Sequence, residues 1–142
     1  VSMLDVSVRA GILNLMRDVQ VQESLSAIYI SHDLALVRYV AKRTLVMYLG
    51  RIVEDGPTEE IVLRPQHPYT RALIAAVPVP RIDQNRGPLP IKGNVPDARK
   101  PPSGCRFHNR CPIAIARCAA EDPDLLPAAA GHRVACHLVA RG

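Results

Sequence analysis

Cysteine is missing from the first 104 residues of this 142-residue chain, and its four cysteines fall between positions 105 and 136. Any thiol chemistry is therefore confined to the C-terminal segment. Aromatic residues make up only 4%, and the basic residues are scattered singly. Both features argue against the stacking platforms and basic stripes of a nucleic-acid binder. No run of eighteen or more apolar residues occurs, which excludes an apolar membrane-spanning helix. No charged segment leads a hydrophobic one at the start, so no secretory signal is predicted. The chain opens on Val1 rather than Met, and the expectation is a fragment or a processed product. No internal repeat is visible.

The residues that are present allow a core. Apolar content is 48%, near the globular average, and the length suits about one domain. The net charge of +5 is uneven: residues 1–80 hold eight Lys/Arg and eight Asp/Glu, and residues 81–142 hold ten and five. All the excess lies in the second part.

Val8, Ile12, Met16 and Val19 share one helix face and predict a helix over 5–22, capped by Asp5. "LSAIYI", 25–30, reads as a strand buried on both faces of a parallel sheet. Helical spacing returns over 33–42. "TLVMYL", 44–49, predicts a second buried strand, and Gly50-Arg51 turns it into "RIVE" as a tight hairpin. Asp55-Gly56 reads as the next turn. Thr58 reads as the cap of a short helix through Leu63, and Pro68 as the start of another over 68–77. Residues 1–77 thus read as the later half of a larger α/β domain. Seven of the thirteen prolines fall in 78–102, which predicts an extended connector without packed elements. Residues 103–142 form the cysteine segment.

The cysteine spacing is C-x5-C-x6-C-x17-C, from Cys105, Cys111, Cys118 and Cys136. Disulfides need an oxidising compartment, and no export signal leads there. Tight C-x2–4-C zinc pairs are missing. Iron–sulfur sites tolerate wider spacing, and Cys111-Pro112 echoes the Cys-Pro step of ferredoxins. Spacing alone leaves iron–sulfur and zinc open, with free structural cysteines behind them. Arg106, Arg110, Arg117 and Arg133 could offset an anionic metal centre, or could form a solvated surface. His108, His132 and His137 read as supporting or surface groups. The segment's few apolar residues, Phe107 among them, predict a fold held by metal rather than by core.

"IYISHDLAL", 28–36, places Ser31, His32 and Asp33 where an apolar run stops. A histidine at the carboxyl end of a parallel strand stands where open α/β sheets bind ligands. Alone, "SHD" reads more simply as a strand–helix junction whose side chains cap backbone groups.

It is accompanied by "SMLD" at 2–5 upstream and "HPYT" at 67–70 downstream. The ordered set resembles the ATP-binding subunits of oligopeptide and dipeptide importers of the ATP-binding cassette class. The resemblance covers essentially the whole chain. It implies the C-terminal half of a P-loop ATPase domain over 1–77, a Pro-rich connector over 78–102 and a metal-binding tail over 103–142. It implies that Ser2, Leu4 and Asp5 belong to a D-loop at a dimer seam, and that His32 is the switch histidine facing the γ-phosphate of ATP. It further implies a 4Fe-4S cluster on Cys105, Cys111, Cys118 and Cys136, with zinc as the alternative. The implied partners are a second ATP-binding subunit and integral-membrane permease subunits, on the cytoplasmic face of the inner membrane. The implied activity is ATP hydrolysis driving peptide transport.

The chain departs from that pattern. It has no G-x-x-x-x-G-K-S/T loop, no LSGGQ-type signature and no Walker B pair. ATP with Mg is therefore expected only in a full-length subunit, and the chain by itself is not expected to hydrolyse it. A free-standing iron–sulfur or zinc regulatory module is the alternative.

Overall fold

The computed structural model describes residues 6–77 and 91–139. They divide into two units, one up to Ala41 and one from Lys42 onward.

The first unit carries helix α1 (Val6–Gln22) and helix α2 (Leu34–Val40). The periodic run predicted over 5–22 does form a helix, but Leu15, Met16 and Val19 are largely exposed along it. Tyr29 donates from its hydroxyl to Gln20 Oε1 at 2.8 Å, and the Tyr39 hydroxyl bonds Asn14 Oδ1. Asp33 caps α2: its side chain accepts from the amides of Ala35 at 3.0 Å and Leu36 at 3.2 Å. The predicted buried strand over 25–30 is absent, and Ile28 and Ile30 are 94% and 98% exposed. A strand needs neighbours for its N–H and C=O groups and for both apolar faces. The described residues of this unit provide none.

The second unit is built on a four-stranded sheet in the order β1-β2-β4-β3, antiparallel at every junction. The strands are β1 (Arg43–Tyr48), β2 (Arg51–Pro57), β3 (Leu126–Ala129) and β4 (His132–Val134). The predicted hairpin forms at Leu49 and Gly50, both at positive φ (44° and 77°), as a two-residue primed turn requires. β1 alternates strictly, burying Thr44, Val46 and Tyr48.

Asp55-Gly56 is not a turn but lies inside β2. Gly56 faces the His132 ring, where a Cβ would stand 3.2 Å from Cδ2; the glycine serves close approach rather than chain reversal. Asp55 is gripped by Arg43 and Arg133. Burial alone would raise its pKa, but the two arginines outweigh that and hold it below the usual value.

Helix α3 (Thr58–Leu63) and helix α4 (Pro68–Ala76) follow. Thr58 is not the cap of α3, which has Pro57 there and no side-chain cap bond. The Thr58 hydroxyl instead pairs with that of Thr44 at 2.8 Å in the interior. Pro68 does start α4.

Between 91 and 102 there is no helix or strand. Ile91 nonetheless packs against the core, and the Lys92 amide donates to the Arg110 carbonyl at 2.9 Å. A 3-10 turn (His108–Arg110) and helix α5 (Ala116–Ala120) carry the chain into β3. One core joins Val46, Tyr48, Val53 and Ile61 to Phe107, so hairpin, helices and cysteine segment share it. No described helix is long and apolar enough to cross a membrane.

Candidate functional site

His32 is exposed, in a bend one residue ahead of the Asp33 cap. The Ser31 hydroxyl accepts the Asp33 amide at 3.0 Å. Ser31 and Asp33 thus perform the capping work, which leaves the imidazole of His32 turned outward at the start of α2. Ser2, Leu4, Asp5 and the predicted Asp5 cap lie outside the described residues.

In the "HPYT" run His67, Pro68 and Thr70 are buried and Tyr69 is half-buried. His67 is the N-cap of α4, its Nδ1 accepting the Tyr69 amide at 3.1 Å. Burial pushes the His67 pKa down to about 4, so the ring stays neutral and Nδ1 keeps the lone pair that the cap needs. Phe107 lies among three rings: edge-on to Tyr48 at 5.2 Å, and tilted to Tyr69 at 5.4 Å and to His67 at 5.8 Å. Tyr48 and Tyr69 also meet, at 4.7 Å. The turn is therefore packed as a structural joint.

All four cysteines are free thiols; Cys118 and Cys136 are buried, Cys105 and Cys111 half-buried. The Cys105 amide donates to the Cys118 carbonyl at 2.8 Å. Gly104, at φ +63°, permits this approach, because a Cβ there would sit 2.5 Å from that same carbonyl oxygen. The Cys105 carbonyl then accepts the His108 amide at 3.0 Å and opens the 3-10 turn that leads to Cys111.

Burial pushes the Cys105 thiol up to about 11, with Cys118, Cys136 and Cys111 adding to the rise. Cys111 is raised mainly by burial too, and then by Cys136 and Cys118, against Lys92. The fold thus brings the four predicted thiols within electrostatic reach of one another. Soft thiolate donors suit zinc or iron–sulfur centres, and a metal charge would offset the penalty that burial and mutual repulsion impose. Among the described residues, no three His, Cys, Asp or Glu side chains are placed to hold a single metal ion.

The four arginines around the cysteines have protein partners. Arg106 bonds the Leu49 carbonyl, Arg110 reaches the Tyr48 hydroxyl at 3.5 Å, Arg117 pairs with Glu121 at 2.7 Å and Arg133 with Asp55. His132 is no surface group: it is 2% exposed and bonds Glu54 at 2.7 Å. Glu54 and Gly104 escape a sequence reading. The signal for Gly104 was its place directly before Cys105; Glu54 left none.

The second unit thus ties a buried His-Pro turn to the cysteine segment through one core. Residues 53–118 match the family described as "Oligopeptide/dipeptide transporter, C-terminal region". The chain is 54% identical, over 97% of its length and 39% of the relative's, to "Probable peptide ABC transporter ATP-binding protein y4tS" of Sinorhizobium fredii. It is 47% identical to "Di/tripeptide transport ATP-binding protein DppF" of Pseudomonas aeruginosa, over 96% of this chain and 42% of that one. It is 44% identical to "Oligopeptide transport ATP-binding protein AppF" of Bacillus subtilis, over 97% and 43%. Along nearly its whole length the chain is similar to peptide ABC transporter ATP-binding proteins, and it spans about two fifths of the length of these curated relatives.

Proposed function

We propose that this chain serves as the C-terminal part of the energy-coupling ATPase subunit of a peptide importer. The observation that carries this reading is the relatedness along 96–97% of the chain, which includes the His32 loop as well as the cysteine segment. A free-standing metal module would account for the latter alone.

In this reading His32 acts across the seam of two ATPase domains on the γ-phosphate of ATP. A neutral imidazole there donates or accepts one hydrogen bond and orients the attacking water as charge develops. Its exposure fits a partner outside the described residues. Ser2, Leu4 and Asp5 line the same seam. ATP and Mg are held by motifs this sequence does not contain, and the assembled subunit works with a second ATP-binding subunit and membrane permeases, at the cytoplasmic face. Uptake of a labelled dipeptide by cells carrying the complete importer tests this. Loss of uptake on His32→Ala, with subunit levels unchanged, agrees; unimpaired uptake overturns it.

Cys105, Cys111, Cys118 and Cys136 ligate a 4Fe-4S cluster in this reading, and zinc is the alternative. Four cysteines clustered in one segment and the Cys111-Pro112 step support this choice. The cluster, when bound, would supply the positive charge that offsets four neighbouring thiolates. Anaerobic reconstitution should give about four irons per chain, bleached by Cys118→Ser. One zinc and no iron would replace the cluster with a zinc site.

A further inference from the structure

Glu54 sits in the middle of β2 with no solvent exposure. Its carboxylate receives three N–H donors: the Gln66 amide on Oε1 at 2.6 Å, the His67 amide on Oε2 at 3.0 Å and His132 Nε2 on Oε1 at 2.7 Å. A carboxylate accepts and does not donate, so His132 carries its proton on Nε2. A buried carboxylate is tolerable only with such donors.

These donors come from two separate places. Gln66 and His67 lead into α4 and form the "HPYT" turn. His132 belongs to β4, whose continuation is Cys136. That strand is fixed to β2 by the pairs Glu54↔Val134 and Asp55↔Arg133 and by the Ala135 amide on the Val53 carbonyl at 2.9 Å. From the other side, Phe107, between Cys105 and Cys111, packs on the rings of His67 and Tyr69. The turn is thus tied to the cysteine segment twice, through Glu54 to His132 and directly by Phe107.

The geometry points to a conformational latch: Glu54 and His132 transmit the state of the four-cysteine segment to the "HPYT" turn and so to the position of α4. When the cysteine segment is ordered, His132 completes the bonding of Glu54, and Glu54 holds the Gln66 and His67 amides. When the segment opens, Glu54 loses a donor and is exposed to water, and the two amides are released. The signal on the cysteine side rests on the metal site proposed above; the link between His132 and the turn does not.

Hydrogen exchange on the whole chain, followed by mass spectrometry over a fragment spanning residues 64–70, tests the latch. His132→Ala should speed exchange there by about tenfold, the scale of one lost charge-assisted hydrogen bond, with little change in the β1–β2 turn. His132→Gln, which can present an N–H near Nε2, should restore most of the protection. Cys136→Ser should speed the same fragment. Unchanged exchange in His132→Ala overturns the latch, as does an equal rise throughout the sheet. A fragment that responds to His132→Ala but not to Cys136→Ser also overturns it. Should His132→Ala not fold, Glu54→Gln, which keeps shape and loses charge, is read on the same amides with the same expectation. Iron content of the same samples judges the cluster independently.

Discussion

Truncating Phe107 to alanine removes the ring that joins the cysteine segment to the hairpin. Phe107 is 1% exposed and belongs to the core with Val46, Tyr48, Val53 and Ile61. Buried Phe→Ala changes cost about 3–5 kcal/mol, through lost transfer energy and the cavity left behind. Contacts with Tyr48 and Tyr69 at 5.2 and 5.4 Å place this site toward the upper part of that range, since each aromatic pair adds about 0.5–1.5 kcal/mol. A domain of this size has about 5–15 kcal/mol in all, so the loss is a large share. The chain has no tryptophan and four tyrosines, of which Tyr48 and Tyr69 adjoin the affected core, so tyrosine emission in a Tyr29→Phe/Tyr39→Phe background reports it. Urea unfolding should show one transition with its free energy reduced by about 4 kcal/mol, and Phe107→Leu by about 1–2 kcal/mol. A loss under about 1 kcal/mol would refute the shared core. So would release of residues 104–139 to protease with the tyrosine transition unmoved.

His67 makes stability depend on pH. Unfolded, it protonates near pH 6.5; folded, burial delays this to about pH 4. Its contribution, up to about 3 kcal/mol, is fully present above pH 6.5 and is lost as pH falls from 6.5 to 4. Urea midpoints across that window should fall steeply, and less steeply in His67→Asn, which keeps a capping acceptor but does not titrate. Gly104→Ala forces a Cβ to 2.5 Å from the Cys118 carbonyl oxygen at φ +63° and should cost about 3 kcal/mol or more, read by thermal melting and by protease sensitivity near Cys118. Gly93→Ala has φ +57° but open space, and should cost only about 1 kcal/mol.

Local rules made part of this fold legible. Apolar spacing marked α1, an apolar run marked β1 (though every second residue of it is exposed), and the Asp33 and Pro68 signals marked two helix starts, since each depends on near neighbours in sequence. Residues 25–30 failed for the opposite reason: an apolar run becomes a strand only when other strands take its hydrogen bonds. Asp55-Gly56 has turn composition, but the glycine answers to His132, distant in sequence. β4 is three residues long, too short for any period, so its pairing with β2 left no trace. Glu54 resembles a surface charge until its three donors come together. The four cysteines were the clearest compositional signal, because they fall in one short segment. His32 was visible as a residue, but its outward orientation was not, because Ser31 and Asp33 were equally good candidates for the same junction.

The most direct test of the central claim uses this chain fused behind the N-terminal portion of a relative such as the Bacillus subtilis protein, purified as a complete subunit. ATP affinity and single-turnover hydrolysis are measured with and without His32→Ala. The account predicts that kcat falls by about 100-fold or more, the scale of losing one donor to a developing charge, while ATP affinity changes by less than about threefold. Equal losses in both, or hydrolysis that survives the substitution, would contradict a role for His32 at the γ-phosphate.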